Sequence, residues 1–176
     1  MAKRSREQIR EDEKRVIEEL TKDARQTPNE IANKLGFSRQ KAWRIIKRLE
    51  KTKEIWGYTT VIDEKKSNRN IYIALVKSRS PVIEQTDRLL KRIKNDELKK
   101  ELDAEVIDMF FLHGLYDWIL IFSTGNIQQA TRFIGYMEQH YGESIDQMEL
   151  LENIFSLIKA GKINPSIEKI KEFSVK

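Results

Sequence analysis

Between Ser38 and Lys53 the chain places seven basic side chains, Arg39, Lys41, Arg44, Lys47, Arg48, Lys51 and Lys53, against one acid, Glu50. Arginine donates two parallel hydrogen bonds to guanine, and Gln40 in the same stretch can pair adenine in the same way. Lysine reaches phosphate, which gives affinity without sequence information. Such a set recognises nucleic acid when one rigid element presents it, and the spacing supplies a helix. Ala42, Ile45, Ile46 and Leu49 fall on one side, as a buried stripe requires. At about 100° per residue, Gln40, Arg44, Lys47 and Lys51 fall on the opposite side, with Trp43 at its edge. Arg39, Gln40, Lys41 and Arg44 occupy the first turns, the part of such a helix that reaches base edges. Lys47, Arg48 and Lys51 lie further along, where phosphate contact is expected. Ser38 is the N-cap, with its hydroxyl also within reach of a phosphate. Trp43 is expected to pack against the first helix or the 55–58 strand, with contact to DNA as the other reading.

The elements that must hold this helix are legible on both sides. Thr27 is an N-cap, Pro28 suits the first helical position and Glu30 completes a capping box. Ile31, Ala32 and Leu35 form a short apolar stripe, and Gly36 stands where a left-handed C-terminal residue is wanted. The spacing predicts an earlier helix over 12–24, with Asp12 as cap and Val16, Ile17, Leu20 and Ala24 as its inner stripe. Residues 3–10 form a charged tail or an extension of that helix. Three helices with a tight glycine turn make a helix-turn-helix unit. Residues 54–62, rich in aromatic and β-branched types, read as an extended wing or linker strand bent at Gly57.

Charge separates this part from the rest. Residues 1–66 carry 18 Lys+Arg and 12 Asp+Glu, a net of +6; residues 67–176 carry 15 and 16, a net of −1, and the two sum to +5. Attraction to a polyanion accounts for such an asymmetry, which solubility does not require. With no cysteine there is no thiolate metal site, disulfide or cysteine nucleophile. His113 and His140 are the only histidines and have no metal-ligand spacing, so neither metal nor cofactor is expected. No apolar run spans a membrane and the N-terminus lacks a signal-peptide core, so a cytoplasmic protein is the simplest account. The abundance of Lys and Glu is compatible with a heat-loving source.

The organisation expected is a DNA-binding domain over 1–62, a polar hinge over 63–70 and a second domain over 71–176. In the second domain, strands are expected at 71–77, 106–112 and 117–123, with a last strand within 145–158. Helices are expected from Pro81, with Ile83, Thr86, Leu90 and Ile93 spaced for burial and a break at Asn95-Asp96, and over 127–141. The order strand, helix, strand, strand, helix, strand is that of a ferredoxin-like sandwich, so the fold class is α+β. Helices cover one face of so small a sheet, and a matching face on another copy is the natural cover for the other.

At this point the chain resembles the Lrp/AsnC, or feast/famine, transcription regulators over roughly residues 12–158. The resemblance rests on DEKRVIEELTKDAR, NEIANKLGFSRQKAWRIIKRLE, KEIWGYTTVID and the HGLYDWIL turn, similar to the family's Gly-x-Tyr-Asp turn at Gly114, Tyr116 and Asp117. It implies a DNA-binding head and a sandwich that forms dimers and larger even-numbered oligomers. It also implies an amino-acid effector near His113, Gly114, Tyr116 and Asp117, although Asp117 equally suits backbone amides after a turn. The chain departs from the family where Ile45 replaces the usual arginine, Trp43 is bulky for its place, residues 94–104 lengthen the first sandwich helix and His113 replaces a small polar residue. The expected function is a sequence-specific transcription regulator on double-stranded DNA, acting as a dimer, tetramer or octamer. A low-specificity DNA-organising protein is the alternative, followed by an enzyme of the sirohaem decarboxylase type.

Overall fold

The computed structural model describes residues 5–79 and 83–173, without the side chains of residues 83–85. The helix expected to start at Pro81 therefore begins, among the described residues, at Ile83, and the expected burial of Ile83 lies outside what is described. The chain divides into two compact units, one ending at Thr60 and one beginning at Val61.

The first unit is three helices. Helix α1 spans Arg6–Lys22, α2 Pro28–Leu35 and α3 Arg39–Lys51. Each start is set by a side chain that satisfies amides otherwise left open, a contribution of about 1 kcal/mol apiece. Ser5, rather than Asp12, caps α1, in a reciprocal capping box with Gln8. Asp12 lies inside that helix and does other work. Thr27 and Glu30 form the expected box on α2, and the Thr27 amide followed by its hydroxyl holds the Glu30 carboxyl below its ordinary pKa. Gly36 turns the chain with φ 67°, a left-handed conformation that costs glycine nothing. Val16, Ile31, Ala32, Ala42 and Leu49 are fully buried where the three helices meet, with Leu20 and Ile46 beside them. Ile45 and Ile55 pack partly buried against the same cluster, so the apolar residue at 45 is used for packing.

Residues 56–62 form no strand in the described structure. Their aromatic and β-branched composition supplied the expectation, but a strand needs a partner for its amides, and among the described residues this segment has none. Trp56 is 94% exposed there. The segment is tied back at its start, where the amides of Glu54 and Ile55 both donate to Leu49 O, and at Tyr58, whose hydroxyl donates to Glu50 Oε1 at 3.2 Å.

In the second unit, residues expected as a polar hinge contain a 3₁₀ turn, Glu64–Ser67, and the first residue of strand β1 (Asn70–Ser78). Two helices follow, α4 (Ile83–Lys94) and α5 (Glu97–Leu102), broken at Asn95-Asp96 as the sequence indicates. Strand β2 (Glu105–Phe111), strand β3 (Trp118–Thr124), helix α6 (Ile127–Tyr141) and strand β4 (Ile145–Glu152) complete the sandwich. The sheet order is β2-β3-β1-β4 with every pair antiparallel, the split βαβ arrangement of a ferredoxin-like fold. Tyr72, Ala74, Val76, Trp118, Leu120 and Phe122 point to the helices and are buried with Phe133 and Met137 of α6, Leu89 of α4 and Leu98 of α5.

Beyond β4 the chain adds a short hairpin, β5 (Ile158–Lys159) with β6 (Lys162–Ile163), and a 3₁₀ segment over Ile167–Phe173. Neither was expected. The hairpin turns at Ala160 and Gly161, both with positive φ.

Candidate nucleic-acid interface

The flanks of α3 decide which of its basic residues face outward. Its buried centre line runs through Ala42, Ile46 and Leu49. Lys41 and Arg48 are seven positions apart and share one flank, which faces α1. Lys41 is half-buried; its Nζ lies 2.6 Å from Asp12 Oδ2 and 3.4 Å from the centre of the Phe37 ring. Arg48 pairs with Glu13, a buried carboxylate of α1. Two of the seven cations are thus held by acids of the neighbouring helix. This use of Asp12 and Glu13 needs the tertiary packing and has no signature in local spacing. Glu19 serves α1 and α2 similarly, with its carboxyl held low by its hydrogen bond to Lys22 and then by Lys34.

The outer face of α3 is different. Arg39, Gln40, Arg44, Lys47 and Lys51 are all exposed. Arg44 Nε donates to Gln40 O at 3.3 Å, a weak contact within the helix that leaves the other guanidinium donors directed outward. Lys47 Nζ lies 2.8 Å from Glu50 Oε2. That bond, followed by the Tyr58 hydroxyl, keeps the Glu50 carboxyl ionised to lower pH than usual. Arg39, Arg44, Lys51 and Lys53 form no ion pair among the described residues. Ser38 Oγ accepts the Lys41 amide at 3.2 Å, so the cap role is occupied.

Trp43 does not pack on α1 or on the 55–58 segment as expected. It stands 52% exposed on the flank opposite Lys41 and Arg48, next to the outer stripe. The inner positions of α3 are already filled by Ala42, Ile45 and Ile46, and among the described residues no element covers position 43 fully.

The four expected effector residues, His113, Gly114, Tyr116 and Asp117, lie together in the five-residue turn between β2 and β3. His113 and Gly114 are exposed, and Gly114 needs no glycine, since its φ is not positive and a Cβ there meets open space. Tyr116 is half-buried, and its hydrogen bond to Glu149 raises the phenol pKa. Asp117 Oδ2 accepts the Ser78 amide at 2.5 Å, at the register shift that ends β1, and Trp118 Nε1 donates to Ser78 Oγ at 3.1 Å. The aspartate thus closes a strand end, as a carboxylate after a turn can.

On the sheet, the side away from the helices is also uncovered. Ile73 and Leu75 of β1 lie beside Ile121 and Ile119 of β3, with Phe110 of β2 and Leu151 of β4 at the edges. Phe110 is 51% and Leu151 45% exposed. Among the described residues no group of acidic and imidazole side chains could hold a metal, and no helix is long and apolar enough to cross a membrane.

With this geometry in view, comparison places the first unit and the whole fold. Residues 13–52 match a family of winged helix-turn-helix DNA-binding domains. No curated protein sequence matches the chain significantly. Among solved structures, an AsnC family transcriptional regulator from Agrobacterium tumefaciens is 18% identical with a TM-score of 0.62, over 88% of this chain and 96% of that one. LrpC of B. subtilis is 17% identical with a TM-score of 0.63, over 90% and 99%. A feast or famine regulatory protein from M. tuberculosis, complexed with L-methionine, is 16% identical with a TM-score of 0.67, over 85% and 94%. The chain therefore has the two-part fold of the Lrp/AsnC regulators along most of its length.

Proposed function

We propose that the protein is a sequence-specific DNA-binding transcription regulator that acts as a dimer or larger even-numbered assembly. The observation that carries this reading is the division of labour on α3. Its α1-facing cations are neutralised by Asp12 and Glu13, while its outer face keeps Arg39, Gln40 and Arg44 in the first turns and Lys47 and Lys51 behind them. A helix presenting that face fits the major groove, where bidentate arginine and glutamine contacts distinguish base pairs. Arg39, Gln40 and Arg44 read base edges. Lys47 and Lys51 hold phosphates, and Arg48, half exposed beside Glu13, adds a phosphate contact. Trp43 offers its ring to a thymine methyl or a sugar. Lys41 and Ser38 contribute mainly by fixing the start of the helix.

Pairing two copies through the open sheet face buries Ile73, Leu75, Ile119 and Ile121 and places two reading helices on one DNA molecule. A small-molecule effector near His113, Gly114, Tyr116 and Asp117 fits the same scheme, and the methionine complex of a protein with this fold supports an amino acid. In this scheme the protein carries out no chemistry of its own and works in the cytoplasm.

Selection of bound genomic fragments, repeated with a pool of amino acids, tests the reading. The expected result is a common motif bound in preference to random DNA, with affinity falling steeply as salt rises. Equal affinity for all fragments would identify a general DNA-organising protein and overturn the specific reading.

A further inference from the structure

The first unit has four aromatic residues, and only one of them packs against its core. That one is Phe37, with Lys41 3.4 Å and Arg15 5.2 Å from the centre of its ring. The other three are left to solvent: Trp43 is 52% exposed, Tyr58 51% and Trp56 94%. Single exposed aromatics are common, but three beside one cationic helix face mark a binding surface.

Positions 43, 47 and 50 fall within about 60° of one another around α3. Lys47 Nζ and the Tyr58 hydroxyl both bond to the Glu50 carboxylate, at 2.8 and 3.2 Å. Trp43, Lys47, Glu50 and Tyr58 therefore form one continuous flank, whose acid is engaged by its neighbours. From Trp43 to Glu50 the flank runs about 10 Å, the rise of about three stacked nucleotides. Past the helix, Ile55 is fixed by its amide on Leu49 O at 3.1 Å and by packing on the core. Only Trp56 and Gly57 lie between that anchor and Tyr58, so the exposed indole is held on a short tethered span. Lys51 and Lys53 precede it in the chain, both exposed. Lys53 takes the left-handed position after the helix, φ 64°, where glycine is favoured, so a cation is kept there at a conformational cost. Glu54, the other acid of the segment, accepts the Thr52 hydroxyl at 2.9 Å.

In a duplex each base is stacked on both sides, so a ring meets only edges, methyls and sugars, and opening a step costs free energy. An unpaired strand presents the faces of its bases, and aromatic rings along a cationic track hold such a strand. We infer that this flank is a second DNA site, which holds an unpaired strand by stacking bases on Trp43, Trp56 and Tyr58 while Lys47, Lys51 and Lys53 carry its phosphates. The site rests on the reading of α3 as a DNA-binding helix, but not on its choice of duplex sequence.

Three probes of about 12 nucleotides separate stacking from charge: oligo-dT, a strand of the same phosphates without bases, and a duplex of arbitrary sequence. Titrated with the full chain, oligo-dT should bind at least about 10-fold more tightly than the base-free strand. It should also quench tryptophan fluorescence, which reports this site because Trp118, the third tryptophan of the chain, is buried. Trp56→Ala, checked for an unchanged melting profile, should weaken oligo-dT binding by about 5-fold or more, and Trp56→Phe should restore most of it. Neither variant should change affinity for the base-free strand or the duplex. Equal affinity for oligo-dT and the base-free strand, or unchanged oligo-dT binding by Trp56→Ala, would overturn the inference and leave the duplex reading intact. An equal loss on duplex and single strand would also overturn it, by assigning Trp56 to the duplex site. Failure of all three probes to bind would remove the duplex reading as well.

Discussion

Helix α3 and the four-stranded sheet each bury one side and leave the other uncovered, but the two uncovered sides are chemically opposite. On α3 the uncovered side is Gln40, Arg44, Lys47 and Lys51, polar and cationic. On the sheet it is Ile73, Leu75, Ile119 and Ile121, framed by Phe110 and Leu151. A cationic helix face is stable in water and attracts a polyanion; a contiguous apolar sheet face is stabilised by covering it. The same chain thus carries one surface suited to a polyanion and another suited to apolar cover. The contrast recurs within α3 itself, where the cations on the α1 flank are paired with acids of another helix, while on the outer face only Lys47 is paired, with Glu50 of the same helix.

The largest effect is expected from placing a charge on the sheet. Ile119→Glu lies on the uncovered side, so the monomer should keep its fold, while the self-association constant should weaken by about 100-fold or more because a buried, unpaired carboxylate is costly. Sedimentation equilibrium measures this, and an unchanged assembly would remove the sheet face from the account.

Next in size is Arg44→Ala, which should cost about 1–3 kcal/mol on the preferred sequence and little on random DNA. Lys51→Ala should weaken both alike and reduce the slope of log affinity against log salt by about 0.9. Equal loss of sequence preference in the two variants would refute the division between reading and holding residues. The paired flank gives a complementary test. Asp12→Asn/Glu13→Gln removes the acids that pair Lys41 and Arg48, and should raise affinity for random DNA and steepen its salt dependence; an unchanged dependence would show that those cations do not approach phosphate.

The smallest effect concerns pH. Asp103, exposed by nearly half, is held below its ordinary pKa first by the hydrogen bond from Arg69. A depressed carboxylate pKa stabilises the folded state above its unfolded value, near 3.8, and that stabilisation is lost as pH falls through the lower folded value. Asp103→Asn should therefore lower the melting temperature slightly at neutral pH and leave a shallower decline on acidification. Parallel curves for the two proteins would contradict this.

Where local rules decided the outcome, the sequence was informative. The Thr27–Glu30 box, Gly36, the Ser38 cap, the break at Asn95-Asp96 and the span of α6 follow from caps and periodicity, and the structure contains them. Helix α1 is capped at Ser5, seven residues before the expected cap, so residues 6–10 are the extension that was one of the two readings; these exposed first turns carry no apolar stripe to read, although the Ser5–Gln8 pair was a usable signal. The strand expected over 54–62 is absent because β-forming composition cannot replace a pairing partner. The hairpin at 158–163 has two-residue strands, too short for periodicity, and only the Ala160-Gly161 turn marked it. The sites show the same limit. The outer face of α3 and the use of Asp117 on a backbone amide were visible in the sequence, whereas the capture of Lys41 and Arg48 by α1, the exposure of Trp43 and the identity of Ser78 as the partner of Asp117 depend on contacts between elements.

Hydroxyl-radical footprinting on a selected DNA fragment, with the wild-type protein and Ile119→Glu side by side, tests the cationic helix and the apolar sheet together. The account predicts two protected patches on one face of the DNA, separated by a whole number of turns of about 10 bp, for the wild type. Ile119→Glu should lose the paired pattern. A single patch, or even protection along the whole fragment by the wild-type protein, would contradict it.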